Sequence, residues 1–251
     1  AIVAVLLAAT AVSMDFWNVR VEDVLVGQES SSYRVNGEIP VIPLESFSDE
    51  VASAMEDVSQ KMEEQDLYLN SSPGYWLRTF DRWADCEEFI GFPLNNPLEK
   101  SSLLETANYF AIAQDAETLN EESQRHCAVA LQGNIKGELQ HVTIDTGYLM
   151  GPIRIQMTVS LYPEGSGMEP GTGGSWNGEA EFEITSGVTG EGIPYTLVVS
   201  ETPESDYYND FSSADAYFVL KNGLYTLDAV SPGRDSGADA KAALEELLAL
   251  F

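Results

Sequence analysis

The chain has 251 residues, with 41 Asp and Glu against 12 Lys and Arg, a formal net charge of −29 and a hydrophobic fraction of 44%. Apolar content at that level, with 10% aromatics, is enough to bury a core, so the acidity belongs to the surface of a folded protein and not to a disordered acidic tail. A surface this negative repels phosphate backbones and anionic lipid faces, which argues against nucleic acid as a partner and against a polybasic membrane dock.

The opening run AIVAVLLAATAVS carries no charge. With Ile2, Val3, Val5, Leu6, Leu7 and Val12 it is shorter than the roughly 20 residues that cross a bilayer. It reads as part of a transmembrane anchor or as the apolar region of a secretory signal, with a buried strand or helix of the fold as the alternative. Phe16 and Trp17 follow it, where an aromatic belt marks the outer interface. The expected organisation is a hydrophobic anchor segment over 1–17, an extended linker or irregular strand over 18–47 containing Gly27, Gly37, Pro40 and Pro43, and an extracytoplasmic domain over 48–251. That organisation places the protein at the cell membrane, single-pass, with its domain outside the cytoplasm.

Ser48 followed by Asp49 and Glu50 is a helix start, and Val51, Met55, Val58 and Met62 recur at helical spacing, which predicts a helix to about Gln65. Trp76, Phe80, Trp83 and Phe89 also recur at helical distances and predict a helix over 76–90. Ser102 and Glu105 stand at capping-box spacing, and 109–113 and 127–131 read as strands. Ile153, Ile155, Met157, Val159 and Leu161 alternate with polar residues, as do Ala180, Phe182 and Ile184, giving strands with one wet face and hence an antiparallel sheet. Segments 139–145 and 195–200 add two more strands. Between them, 163–178 is rich in Gly and Pro and reads as a mobile hairpin loop. Trp176 near its end is either a contact residue or a ring tucked against the sheet edge. Asn222 and Gly223 predict a type I′ hairpin turn between 216–220 and 224–230. Ala240, Ala243, Leu244, Leu247, Leu248 and Phe251 form one face of a closing helix that packs across the sheet. The fold class expected is α+β, an antiparallel sheet flanked by helices.

Chemistry-bearing motifs are scarce. Nucleophile-elbow, P-loop, dinucleotide-binding, metalloprotease and EF-hand patterns are all missing from the sequence, so no cofactor and no catalytic residue are expected. Glu204, Asp206, Asn209, Asp210 and Asp215 are dense but lack the ordered ligand positions of a calcium loop. Outside the cytoplasm, Cys86 and Cys127 pair naturally as a disulfide closing a loop of about 42 residues, worth on the order of 4 kcal/mol; two buried thiols are the alternative. Cys127 has only His126 as a neighbour of metal-binding type, and no metal site is expected.

A Cys-bearing helix ending in glycine (Asp85, Cys86, Glu87, Glu88, Phe89, Ile90, Gly91) precedes a second cysteine opening a strand (His126, Cys127, Ala128, Val129). Long strands follow, then Ala214 to Phe218, the Asn222 and Gly223 turn and a terminal Ala/Leu helix. This order resembles an actinobacterial family of small envelope lipoproteins and single-pass secreted proteins, related to the extracellular sensor domains of mycobacterial serine/threonine kinases and to the PsbP-like fold. The chain departs from it in lacking a lipobox cysteine near its start. The resemblance implies a non-enzymatic role in lipid transport, in sensing, or as an accessory subunit.

The functional expectation is a membrane-anchored accessory subunit of a larger envelope complex, serving lipid transport or respiratory assembly. One alternative is a module for an apolar envelope lipid held between sheet and helices by Trp76, Phe80 and Trp83. Others are an acidic surface or filament subunit of a halophile, and an enzyme.

Overall fold

A computed structural model describes residues 17–25, 29–37, 39–64, 74–109, 125–134, 136–166, 171–177, 181–201, 211–221, 223–233 and 236–251. The anchor residues Ile2 to Phe16 and the acidic stretch 202–210 lie outside these. Among the described residues no helix is long and apolar enough to cross a membrane.

In chain order the strands are β1 (Trp17–Leu25), β2 (Glu29–Gly37), β3 (Val41–Ile42), β4 (Gly74–Phe80), β5 (Glu105–Ala107), β6 (Cys127–Gly133), β7 (Leu139–Met150), β8 (Ile153–Pro163), β9 (Gly171–Asn177), β10 (Glu181–Val188), β11 (Pro194–Glu201), β12 (Phe211–Leu220) and β13 (Gly223–Pro232). The helices are α1 (Asp49–Glu64), α2 (Trp83–Ile90) and α3 (Gly237–Leu248). Ten strands form one sheet in the order β10-β11-β12-β13-β8-β7-β6-β4, with β5 added to β7 and β3 to β8; all pairings are antiparallel except β3 with β8. The α+β class read from the strands' period-two pattern is therefore observed.

The same alternation sorts side chains between two faces. Ile155, Met157, Val159 and Leu161 of β8, with Leu227 and Tyr225 of β13 and Ala216 and Phe218 of β12, are buried on the face the helices cover. Helix α3 lies across β11, β12 and β13, burying Ala240, Ala243, Leu244, Leu247 and Leu248, while Phe251 meets Phe218 edge-on at 4.9 Å. Val51, Met55 and Val58 of α1 are buried as the helical stripe requires.

Four sequence expectations need correction. Residues 76–90 are not one helix: Gly74–Phe80 is strand β4, and the helix starts at Trp83. Trp76, Phe80 and Phe89 share helical spacing because strand and helix fold onto each other, with Trp76 stacked on Phe89 at 5.1 Å and Phe80 at 5.7 Å from it. In β4 the aromatic and threonine content outweighs that coincidence. The Gly-rich stretch 163–178 contains strand β9, which pairs with β2, and Trp176 stands opposite Ser31. Segment 18–47, expected as an extended linker or an irregular strand, holds β1 and β2, paired from Trp17 opposite Gly37 to Leu25 opposite Glu29; β1, β2 and β9 make a separate three-stranded sheet. The hairpin between 216–220 and 224–230 is observed, but Gly223 is not its turn residue: Lys221 stands at φ 54° and Gly223 is already in β13 opposite Leu220. Gly223 is required for another reason, since a Cβ there would lie 2.8 Å from Val159 Cγ1. Of the strand expected over 109–113, residues 110–113 lie outside the described residues.

Gly91 joins α2 to α1. It ends α2 at φ 101°, and a Cβ there would lie 2.8 Å from Ser48 N, which donates to Ile90 O at 3.0 Å. Ser48 Oγ accepts from Val51 N at 3.2 Å as the cap of α1 and donates to Phe89 O. Gly91→Ala therefore adds both left-handed strain and a backbone clash, and should cost about 2–4 kcal/mol in urea unfolding. Gly151→Ala, at φ 57° with open space around it, should cost only about 1–2 kcal/mol. Equal losses would contradict the close approach.

Candidate functional site

Cys127 is the first residue of β6, and the β6/β7 register sets it opposite Thr146. Its Sγ lies 3.6 Å from Thr146 Oγ1 and in hydrogen-bonding contact with Cys86 of α2. Both cysteines are fully buried free thiols. The expected pair is thus brought together, as two thiols in contact.

His126, one residue before β6, is clamped at both nitrogens. Nδ1–H donates to Ala107 O at 2.9 Å, just past β5, and Nε2 faces Glu99 Oε1 at 2.7 Å and Thr146 Oγ1 at 3.1 Å. Glu99 sits in a single 3-10 turn, Pro97–Lys100, started by a proline whose fixed φ suits a first helical position. Tyr148 OH donates to Glu99 Oε1 at 3.1 Å and accepts from Asn96 Nδ2 at 2.9 Å, while its ring meets His126 edge-on at 5.1 Å. The side chains of Glu99 and His126 are 29% and 9% exposed, so they form a rim over the buried sulfur.

The electrostatics follow from these contacts. Burial opposes a charge on His126, yet hydrogen bonds with Cys127 and Glu99 raise its pKa to about 10. Glu99 is held below the usual carboxylate range, chiefly by the His126 hydrogen bond. Of the two sulfurs, Cys127 is favoured as the thiolate, through its hydrogen bonds with Cys86 and His126 working against burial. Cys86 is pushed up by that same contact and by burial. The shifts of Glu99, His126 and Cys127 each favour the charged form of the group, along a row that runs from Glu99 at the surface through His126 to Cys127 in the core. Sequence reading missed Glu99, 27 residues upstream of His126 with no spacing rule linking the two; the adjacent His126 and Cys127 at a strand start were the visible half.

The aromatic candidates lie beside this junction. Phe80 and Trp83 are buried and Trp76 is partly buried against the core, all three gathered near α2. A cleft of about 590 Å³ opens next to them, lined by Leu77, Arg78 and Phe80 of β4, Phe89 of α2, and the charged side chains of Glu50, Asp81, Asp85, Glu88 and Arg125. Arg78 lies over the Phe80 ring at 5.2 Å and 3.8 Å from Glu50.

The face of the sheet opposite α1, α2 and α3 carries a second ionisable cluster. Asp215 and Asp228 are direct cross-strand partners, Asp228 faces Gln156, and Asp145 accepts from Thr158 at 2.5 Å and Gln156 at 3.2 Å. Burial, then the charge of Asp215, raises the Asp228 pKa well above its ordinary value. His141, stacked on Tyr162 at 4.8 Å on this same face, has its pKa lowered by burial. Between the ordinary carboxylate pKa and its own raised one, folded Asp228 holds a proton that the unfolded chain has lost. Stability therefore falls as pH rises through that window, by up to ~1.4 kcal/mol per pH unit. Asp228→Asn removes this loss, so the melting temperature of the variant relative to wild type should climb between pH 4 and pH 8; a constant difference would contradict a proton held by Asp228 in the folded state.

No family model, no curated protein and no solved structure matches the chain.

Proposed function

We propose that the protein is a non-catalytic, membrane-anchored extracytoplasmic accessory protein that holds an extended, basic segment of a larger envelope complex along strand β4. The observation that carries this reading is the state of that strand. It lies at one end of the sheet order, and among the described residues no strand pairs with its outer side. Tyr75 is 65% exposed and Leu77 43%, both on the face away from the helices. An open strand edge with apolar side chains is a template for pairing with another chain, and recognition by strand addition uses such an edge for a chosen partner.

Charge selects the partner. The adjoining cleft contains Glu50, Asp81, Asp85 and Glu88 against Arg78 and Arg125, on a protein of net charge −29, so a segment rich in Lys or Arg is drawn in and an acidic one repelled. The non-catalytic part of the reading is supported by the depth of Cys127, whose sulfur has no exposed surface to offer a substrate.

A peptide of alternating Lys and Val, labelled for fluorescence anisotropy, tests the edge directly. It should bind, weaken as salt is added, and bind at least tenfold more weakly to Leu77→Lys and Tyr75→Lys, whose new charges sit at exposed positions. The envelope partner recovered with wild type in mild detergent should be lost with the same variants. Equal binding of a Glu and Val peptide, or undiminished binding by both variants, would overturn the reading.

A further inference from the structure

We propose that Glu99, His126 and Cys127 form a binding site for one zinc ion. Their ligand atoms, a carboxylate oxygen, Nε2 and Sγ, all lie within 4.8 Å of one another. A tetrahedral zinc ion with bonds of ~2.0–2.3 Å sets its ligand atoms roughly 3.3–3.7 Å apart, so the three groups converge on such an ion with shifts below the length of a bond. They come from segments far apart in sequence that the sheet holds together, namely the Pro97–Lys100 turn and the start of β6.

The surroundings are those of a ligand set. Ala107 O takes the Nδ1 proton of His126 at 2.9 Å, which fixes the ring and leaves Nε2 as the nitrogen turned toward Glu99 and Cys127, the usual outer-shell arrangement of a metal-bound histidine. Tyr148 OH orients the Glu99 carboxylate at 3.1 Å, and Asn96 Nδ2 in turn holds Tyr148 at 2.9 Å. Asn96 Oδ1 is buried and has no hydrogen-bond partner among the described residues. Thr146 Oγ1, 3.1 Å from Nε2 and 3.6 Å from Sγ, adds a further oxygen beside the same three donors.

Donor chemistry and charge choose the ion. A mixed nitrogen, oxygen and sulfur set favours zinc over magnesium or calcium, which take oxygen ligands. Binding replaces the proton on Nε2, and any on Sγ, by the metal, and those protons leave to solvent. The filled site joins a dication to one thiolate and one carboxylate, so its net charge is zero, which suits a rim that closes over the core.

The test uses reduced protein stripped of metal and titrated with zinc chloride alone, with cobalt chloride as a spectroscopic stand-in. Wild type and Cys86→Ser should each bind one zinc ion and rise in melting temperature, and the cobalt forms should show a thiolate-to-metal charge-transfer band. Cys86→Ser cannot form the Cys86–Cys127 bond, so its result does not depend on the oxidation state of the pair. Glu99→Gln, at a partly exposed position, should bind at least tenfold more weakly, and Cys127→Ser should lose the charge-transfer band. The inference is overturned if reduced Cys86→Ser binds no zinc, or if Glu99→Gln and His126→Gln bind as wild type does, which would assign the metal to other acidic groups.

Discussion

Much of the molecule depends on the seat of α2 against strands β4 and β6. A helix of eight residues has no stability of its own in water, because its nucleation cost is not recovered over two turns. It exists here because Trp83, Cys86, Phe89 and Ile90 are buried. That burial sets Cys86 on Cys127, brings Phe89 against Trp76 and Phe80, and through Gly91 ties the end of α2 to the cap of α1 at Ser48. The thiol pair, the rim of His126 and Glu99, and the cleft beside β4 are three sides of this one junction.

The sheet divides the remaining physics. Its helix-covered face is apolar and holds the larger of two buried hydrophobic clusters. Its other face carries Asp145, Gln156, Thr158, Asp215 and Asp228, polar groups that hydrogen-bond across strands. That face also buries Tyr162, Val198, Tyr217 and Leu224, and burial there raises the Asp228 pKa, while Tyr75 and Leu77 of β4 and Ile184 and Val188 of β10 are exposed at the two ends of the sheet order. The surplus of acidic residues opposes association of these patches with copies of the same chain by like-charge repulsion.

Where one residue spacing has one physical meaning, the sequence was legible. The strict alternation of β8, the stripe of α1 and the Ala/Leu face of α3 each match one period and one element. Reading failed where two causes give the same pattern. Aromatic residues from Trp76 to Phe89 mimic a helix because they form one cluster built from a strand and a helix. Glycines in β9 mimic a loop, yet glycine also fits a strand where backbone contacts matter more than side chains. Gly223 looked like a turn residue and is instead held by its closeness to Val159. At the candidate site, Cys127 and His126 were visible as neighbours, but Glu99, Thr146, Tyr148 and Ala107 are assembled only by the pairing of β5, β6 and β7, which no local spacing encodes.

Native-state hydrogen exchange tests the dependence on α2 most directly. The amides of Phe89 and Ile90 in α2 should exchange with the same opening free energy and the same denaturant dependence as those of Val129 and Leu131 in β6, because helix and sheet open together. Exchange of α2 through a separate, much cheaper opening, with β6 still protected, would contradict the account, since the junction would then persist without its central part.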